Sequence, residues 1–166
     1  HNSVQAVRDI PMPMDAHIIY NFHSYDPLLF THQGAQWVDD MPADYHMEFK
    51  GSMEDFCAYA KANLPAKLAG TLSILDYKGN LDSAYFEDLF ADAIAVAKER
   101  NVALYCGEYG VIENADPANT VLWYKAIHEV FAKYGIGRAA WSYKEMDFDL
   151  RADRLKPVFD ELKKYF

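Results

Sequence analysis

Three short apolar segments, separated by segments with helical periodicity, constrain the fold of this chain more than any other feature of its sequence. They span residues 17–23, 102–108 and 136–143. Each is rich in aliphatic and aromatic residues and ends in polar side chains, which is typical of strands buried on both faces of a parallel sheet. Because strands that alternate with helices form right-handed β-α-β units, the sequence predicts an α/β fold.

The segments between these strands carry helix signals. Apolar residues at helical spacing predict an amphipathic helix over 83–100. The Asp-Pro pair at 116–117 predicts the start of the next helix, and Gly135 predicts its end. Two further helices are predicted to begin near Ser52 and near Asp153.

The carboxyl ends of parallel strands form the ligand-binding edge of such a sheet. By this rule, the candidate active-site segments are residues 23–27, 108–110 and 141–145. The excursion over residues 25–82 leaves from the same edge, and connections of that length are usually functional. The sequence leaves open whether residues 72–77 add a short strand there.

Composition narrows the classes of partner. The 166 residues are 51% hydrophobic and 25% charged, as in globular domains, and their net charge of −9 disfavours nucleic acid. No apolar run approaches the roughly 20 residues that a membrane helix needs. The sequence contains no metal-ligand spacing and no phosphate loop, so we expect neither a metal nor a cofactor.

Glu108 is the strongest candidate for chemistry. It leaves the end of the second predicted strand, directly after Gly107 and two residues before Gly110. Glycines at such positions permit tight turns and a close approach of the ligand. A structural glutamate bonded to a neighbouring arginine or tyrosine would fit the same spacing.

His23 and Tyr25 form a His-x-Tyr pattern at the end of the first strand. Alternate residues of a strand point to the same face, so the two side chains are expected to lie together. The tyrosine hydroxyl can orient a carboxylate by donating to it, and the histidine can bind a sugar hydroxyl. The alternative is a core histidine and a core tyrosine that bond the backbone.

Two tryptophans are candidates for flat contacts with a sugar ring. Trp141 ends the third strand, and Trp37 lies in the long excursion together with His32 and Gln33. An aromatic ring covers the apolar C–H groups of a sugar well. Burial in the core would explain Trp141 equally, and packing of the loop would explain Trp37.

Taken in order, four stretches resemble glycoside hydrolase family 5, the cellulase-like family. They are Ile-Ile-Tyr-Asn-Phe-His-Ser-Tyr-Asp-Pro (18–27), Phe-Thr-His-Gln-Gly-Ala-Gln-Trp (30–37), Leu-Tyr-Cys-Gly-Glu-Tyr-Gly-Val (104–111) and Ala-Ala-Trp-Ser-Tyr-Lys (139–144). The resemblance covers nearly the whole chain. It implies the C-terminal part of a (β/α)8 TIM barrel, in which the three predicted strands are strands six, seven and eight.

The resemblance also implies an activity, which is retaining, endo-acting hydrolysis of β-1,4-linked glucans or mannans. Glu108 matches the nucleophile, His23 and Tyr25 match the active-site His-x-Tyr, and Trp141 matches the sugar platform. Trp37 is expected to line a more distant sugar subsite. The usual setting of the family implies a protein that is secreted, periplasmic or on the cell surface.

The chain departs from the family pattern at the acid/base, which normally follows an asparagine on strand four. No Asn-Glu pair occurs in the 166 residues, and Glu113, Glu145 and Asp147 are carboxylates near strand ends without that pattern. A barrel needs eight strands in about 250 residues. The chain also begins at His1 rather than at an initiator methionine. We therefore expect residues 1–166 to be the C-terminal part of one catalytic domain.

The acid is then expected from outside the chain, either from a separate N-terminal polypeptide or from a second copy. Two other hypotheses stay open on the sequence alone. One is a non-catalytic fragment that binds carbohydrate. The other is an acyl-transfer enzyme that uses Cys106, which shares the face of Glu108 only if their strand is regular. The two cysteines, Cys57 and Cys106, could form one disulfide or stay reduced.

Overall fold

The computed structural model describes residues 2–71 and 76–166 of the chain. In chain order, its strands and α-helices are β1 (Ile19–Ser24), α1 (Leu28–Thr31), α2 (Met53–Asn63), α3 (Ala66–Ala69), α4 (Ser83–Arg100), β2 (Ala103–Tyr109), α5 (Pro117–Tyr134), β3 (Gly137–Ala140) and α6 (Phe159–Leu162). Short 3-10 helices span Val4–Asp9, Asp153–Val158 and Lys163–Tyr165.

The described strands form one parallel sheet in the order β1-β2-β3. The chain passes through α4 between β1 and β2, and through α5 between β2 and β3. This arrangement confirms the predicted α/β fold with a parallel sheet. On the side of β1 away from β2, Ser3 forms a parallel bridge with His23, a pairing that the sequence did not predict.

One face of the sheet is covered by helices. Phe22 of β1 contacts Phe90 of α4, with ring centroids 5.3 Å apart, and Tyr109 of β2 contacts Phe131 of α5 at 5.2 Å. Phe90 and Phe131 also stack on each other, at 5.9 Å and 15°. Buried aromatic rings from both strands and both helices therefore form the core.

The other face of the sheet is open. Ile19 of β1 is 61% exposed and Tyr105 of β2 is 37% exposed, although both lie in strands of the sheet. In a parallel α/β architecture both faces are normally covered. The open face is therefore a surface on which further packing is expected.

The helix signals in the sequence were accurate for the two long helices. α4 spans Ser83–Arg100, as predicted. α5 begins after Asp116, whose carboxylate accepts a hydrogen bond from the backbone N–H of Asn119, and ends at Gly135 with φ +64°. Ser52 caps α2 in the same way, by accepting from the N–H of Asp55.

Two predicted elements are shorter in the structure. β3 ends at Ala140, because the N–H of Ser142 donates to the carbonyl of Phe148 and the chain turns into a loop there. The helix predicted from Asp153 is a 3-10 helix as far as Val158, and α6 follows it. Most of the possible strand at 72–77 lies outside the described residues.

Candidate functional site

A β-bulge at Gly107 determines which side chains of β2 reach the open face. Phe22 pairs with Cys106 and His23 pairs with Glu108, so that Gly107 is an extra residue in β2. A Cβ atom at this position would lie 2.5 Å from Oδ1 of Asn21, which explains the glycine. Because of the bulge, Cys106 points into the covered core while Glu108 lies on the open side of the sheet with His23.

The carboxylate of Glu108 is held by two side chains from the end of β1. The hydroxyl of Tyr25 donates to Oε2 of Glu108 at 3.1 Å, and Nδ1 of His23 lies 3.3 Å from the same oxygen. The side chains of His23 and Glu108 are 22% and 33% exposed, so a ligand could still reach them. The structure thus brings together the three residues that the sequence singled out at these strand ends.

Burial raises the pKa of Tyr25 above its ordinary value, and the charge of Glu108 raises it further. The hydroxyl is therefore protonated throughout the physiological range and remains a donor. A hydrogen bond from a neutral donor to a carboxylate is stronger than one between neutral groups. Tyr25 can thus keep the carboxylate of Glu108 in one orientation.

An aromatic cluster lies beside this pair, centred on Phe148. Its ring centroid lies 5.7 Å from that of Tyr25, 5.2 Å from that of His32 and 6.4 Å from that of Trp37. Phe148 is 5% exposed, whereas Trp37 is 54% exposed. Phe148 was not predicted from the sequence, because it belongs to no motif and follows the end of β3 in an irregular loop.

Trp141 lies directly after β3 and next to the end of β2. The backbone N–H of Trp141 donates to the backbone carbonyl of Tyr109. The backbone carbonyl oxygen of Trp141 would be 2.1 Å from a Cβ atom at Gly110. Its half-buried side chain packs against the small cluster that includes Ala35 and Phe148. Trp141 is therefore fixed close to the strand that carries Glu108.

The three carboxylates considered as alternative acids lie in exposed loops. Oε1 of Glu113 lies 3.4 Å from the backbone N–H of Asp149, and the N–H of Glu113 donates to the carbonyl of Asp147. Glu145 lies 3.7 Å from Lys144 and its side chain is 77% exposed. The two contacts of Glu113 join the loop that follows β2 to the loop that follows β3.

The structure argues against a thiol nucleophile. Cys106 is fully buried on the face opposite to Glu108, and burial raises the pKa of its thiol to about 12. A reactive cysteine needs its thiolate form and access to solvent. Cys106 has neither, so the acyl-transfer hypothesis is wrong. Both cysteines are free thiols, which also rules out the possible disulfide in this structure.

A separate cavity of about 660 Å³ lies away from Glu108. It is lined by the loop over 46–51, by Phe56 and Tyr59 of α2, and by Asn114 and Asp116 ahead of α5. Several of its polar groups already have partners, such as Lys50 with Glu48.

Two further properties concern the part of the chain that the structure describes. Within residues 2–71 and 76–166, no three histidine, cysteine or acidic side chains are grouped so that they could hold a metal ion. No helix in the same residues is both long and apolar enough to cross a membrane.

Comparison with known proteins identifies relatives of the chain. Cellodextrinase A of Ruminococcus flavefaciens is 36% identical over 138 residues, which are 83% of this chain and 33% of the relative. Endoglucanase C of Acetivibrio thermocellus is 32% identical over 163 residues, which are 98% of this chain and 46% of the relative. The chain thus spans between a third and a half of the length of these relatives.

Solved structures agree on the fold. A hyperthermophilic endo-beta-1,4-glucanase in complex with substrate superimposes with a TM-score of 0.68 at 23% identity, over 97% of this chain and 44% of that one. Cel5A of Thermotoga maritima in complex with cellobiose also gives 0.68, at 19% identity, over 96% and 44%. These neighbours are TIM barrels, so the three strands and their helices are part of a (β/α)8 barrel.

A family model, described as cellulase (glycosyl hydrolase family 5), matches residues 1–147. The match includes β1, β2 with its bulge and β3, and it ends one residue before Phe148. The chain belongs to glycosyl hydrolase family 5, the cellulase family.

Proposed function

We propose that this chain supplies the nucleophile, Glu108, of a retaining, endo-acting β-glycosidase that cleaves β-1,4-linked polysaccharides. One observation carries the proposal. The carboxylate of Glu108 lies at the carboxyl end of β2, on the open face of the sheet. It accepts a hydrogen bond from the hydroxyl of Tyr25 and lies 3.3 Å from Nδ1 of His23. A carboxylate that is oriented but still reachable is what a nucleophile for an anomeric carbon requires.

The reaction would proceed in two steps. Glu108 attacks the anomeric carbon, and the leaving-group oxygen departs with a proton from a second carboxylic acid. Water then attacks the resulting glycosyl-enzyme, with that second group acting as base. The two carboxyl groups of a retaining enzyme lie about 5 to 5.5 Å apart. Tyr25 orients the nucleophile, and His23 lies where it can bind the sugar or the same carboxylate.

The aromatic residues would provide the sugar contacts. Trp141, next to the end of β2, is proposed as the platform for the sugar ring that reacts. Trp37 is 54% exposed and lies farther out against Phe148, which suits a more distant subsite. The substrate proposed is a β-1,4-glucan or a mannan. Thermotoga maritima Cel5A, a structural neighbour, has been solved with cellobiose and with mannotriose.

The second carboxyl group is proposed to come from outside residues 1–166. The sequence contains no Asn-Glu pair, and the chain spans 46% of Endoglucanase C. Further strands of the barrel would extend the sheet at the edges of β1 and β3, and their side chains would cover the open face on which Ile19 and Tyr105 are exposed. They could belong to a separate polypeptide or to a second copy, and residues 1–166 would then be the C-terminal part of one catalytic domain.

The test is the trapping of the glycosyl-enzyme. The chain is incubated with a 2-fluoro cello-oligosaccharide that carries a good leaving group, and its intact mass is measured. We expect the mass of one glycosyl group on a peptide that contains Glu108, and no adduct in Glu108→Gln. Glu113→Gln serves as the matched control and should be labelled normally. If neither the chain nor any assembly that it forms carries an adduct, then Glu108 is not the nucleophile.

The second candidate is a non-catalytic fragment that binds carbohydrate. The absence of the Asn-Glu pair is the observation that favours it. Such a fragment would bind cello-oligosaccharides and form no adduct with the fluorinated reagent. Binding in calorimetry without labelling would therefore select this candidate.

We also propose that the enzyme acts outside the cytoplasm, because a polysaccharide does not enter cells. The protein is then secreted, periplasmic or attached to the cell surface. Fractionation of the source cells tests this, and glucanase activity confined to the cytosol would contradict it.

A further inference from the structure

Thr31 occupies a junction between the loop after β1 and the candidate nucleophile. It is fully buried at the end of α1, and its Oγ1 lies 2.5 Å from the carbonyl oxygen of Tyr25 and 3.0 Å from Nδ1 of His32. A carbonyl oxygen only accepts hydrogen bonds, and a threonine hydroxyl has one proton. That proton must therefore be donated to Tyr25.

The tautomer of His32 follows from this. Since the proton of Thr31 is already used, Nδ1 of His32 can bond Oγ1 only by donating its own hydrogen. Burial lowers the pKa of His32 to about 4, so the ring is neutral near pH 7. In a neutral ring with a proton on Nδ1, the other nitrogen, Nε2, carries none.

The ring of His32 also supports the ring of Tyr25. The two centroids lie 5.1 Å apart at 78°, and Phe148 contacts both rings edge-on. In addition, the carbonyl of Thr31 accepts a hydrogen bond from the N–H of Ile112, in the loop that leaves β2. Tyr25 is thus held at its backbone and at its ring by one segment, which is also tied to the strand of the nucleophile.

We infer that His32 is a positioning residue, which acts through Thr31 to keep the hydroxyl of Tyr25 on the carboxylate of Glu108. Its effect on catalysis rests on the proposed role of Glu108 as nucleophile. The tautomer and the Tyr25–Glu108 contact can be measured whether or not that role is correct, because neither measurement involves a substrate.

The first test is the tautomer, observed by NMR on the whole chain with ¹⁵N in its histidine rings. The two neutral tautomers give different nitrogen shifts and different couplings to the ring hydrogens. We expect His32, identified by the loss of its signals in His32→Phe, to carry its proton on Nδ1 at pH 7. A proton on Nε2 would overturn the inference.

The second test follows the hydroxyl of Tyr25 through the ¹³Cζ resonance of labelled tyrosine at pH 7. Glu108→Gln defines the position of this resonance when the carboxylate is lost. We expect Thr31→Val and His32→Phe to move it at least halfway to that position, and Thr31→Ser, which keeps the hydroxyl, to leave it unchanged. Thr120→Val is the matched control, because Thr120 is equally buried and its hydroxyl donates to the carbonyl of Asp116 instead.

Two results would overturn the positioning role. One is a Tyr25 resonance that stays in place in both Thr31→Val and His32→Phe. The other is an equal movement in Thr120→Val, since that would trace the change to general loosening. If Thr31→Val does not fold, His32→Phe still decides the outcome, because it keeps an aromatic ring and removes only the donor.

Discussion

At the scale of single residues, Tyr25 is the group whose removal should affect the chemistry with the least change to the fold. Tyr25→Phe removes the hydroxyl that donates to Oε2 of Glu108. A hydrogen bond to a charged group contributes about 1.5–3 kcal/mol, so the labelling rate of Glu108 should fall about 10- to 100-fold. The measurement is the second-order rate of adduct formation with the fluorinated glycoside.

Tyr45→Phe is the control for this change. The hydroxyl of Tyr45 is also buried but has no hydrogen-bond partner within the described residues. The labelling rate of this variant should equal that of the wild type. A normal rate in Tyr25→Phe would show that the hydroxyl does not orient Glu108, the proposed nucleophile.

Asp26, directly after Tyr25, gives a prediction about stability and pH. Burial raises the pKa of its carboxyl group to about 6 from an ordinary value of 3.8. The folded chain therefore holds this proton more tightly than the unfolded chain, and its stability falls as the pH rises from about 4 to about 6. Each pKa unit corresponds to about 1.4 kcal/mol, so ionisation of Asp26 should cost about 2–3 kcal/mol.

Asp26→Asn removes this ionisation. We expect the variant to exceed the wild type in free energy of unfolding by about 2 kcal/mol at pH 7, and to match it at pH 4. Urea unfolding of both proteins at the two pH values gives the comparison. If Asp26→Asn and the wild type differ in free energy of unfolding by the same amount at pH 4 and pH 7, then the carboxyl group of Asp26 is not buried as it is in the structure.

The two cysteines should differ in reactivity. With a pKa of about 12, only about one Cys106 thiol in ten thousand is ionised at pH 8, and the residue is fully buried. Cys57 is only partly buried. Iodoacetamide at pH 8 should therefore modify Cys57 first and Cys106 only after denaturation, as read by peptide mass spectrometry. Stoichiometric modification of native Cys106 would contradict its placement in the core.

Sequence reasoning could identify the residues around Glu108 but not the way in which they come together. Strand ends and the His-x-Tyr pattern made Glu108, His23 and Tyr25 candidates, and the family resemblance favoured them over purely structural residues. The bulge was not predictable, because it depends on the pairing of Gly107 with the neighbouring strand and not on β2 alone. Phe148 was missed for a similar reason, since its contacts with Tyr25, His32 and Trp37 come from three separate segments.

At the scale of elements, sequence periodicity and capping residues predicted the bounds of the long helices best. α4 was predicted at both ends, and α5 was predicted from its capping aspartate and its final glycine. α1 and α3 have four residues each, too few for a periodic pattern, and their positions depend on tertiary packing. The same holds for the end of β3, which is set by the loop that follows it.

That loop contains a strained turn. Glu145, Met146 and Asp147 all have φ between 60° and 67°, in the left-handed region that costs an L-residue about 1–2 kcal/mol. Met146 is 62% exposed, so its side chain contributes little packing. Met146→Gly should therefore stabilise the chain by about 0.5–1 kcal/mol after the greater freedom of glycine in the unfolded state is counted.

Lys144→Gly is the matched control, because Lys144 lies in the same exposed loop but outside the left-handed run. It should destabilise the chain by about 0.5–1 kcal/mol, since glycine brings only the entropic cost there. Thermal or urea unfolding measures both variants. Changes of the same sign in the two would show that the left-handed backbone is not the source of the effect.

At the scale of the whole molecule, the open face of the sheet indicates a partial barrel, and the orientation of the Glu108 carboxylate indicates that its proposed nucleophile is already in place. Three parallel strands leave Ile19 and Tyr105 exposed, where a complete barrel would bury such side chains. The strand count in the sequence predicted only part of a barrel, but not which side chains its open face would expose. It could not predict that the pair of Glu108 and Tyr25 would already be assembled, because their contact joins residues 83 positions apart.

If the nucleophile is in place and the acid is absent, the chain should show a defined pattern of partial catalysis. A dinitrophenyl β-cellobioside needs no acid, because its leaving group departs without a proton, so Glu108 should still form the glycosyl-enzyme. Hydrolysis of this intermediate needs a base to activate water, and it should therefore be slow. Azide is an anion that needs no base, so it should speed turnover and yield a glycosyl azide.

The measurement is the steady-state release of dinitrophenolate with and without azide, with the sugar product analysed by mass spectrometry. We expect a burst of dinitrophenolate followed by slow turnover, which azide accelerates at least tenfold, and no burst in Glu108→Gln. Unactivated cello-oligosaccharides should not be cleaved. If the chain does cleave them at a rate that azide does not change, then it contains its own acid, and Glu113, Glu145 and Asp147 become the residues to replace.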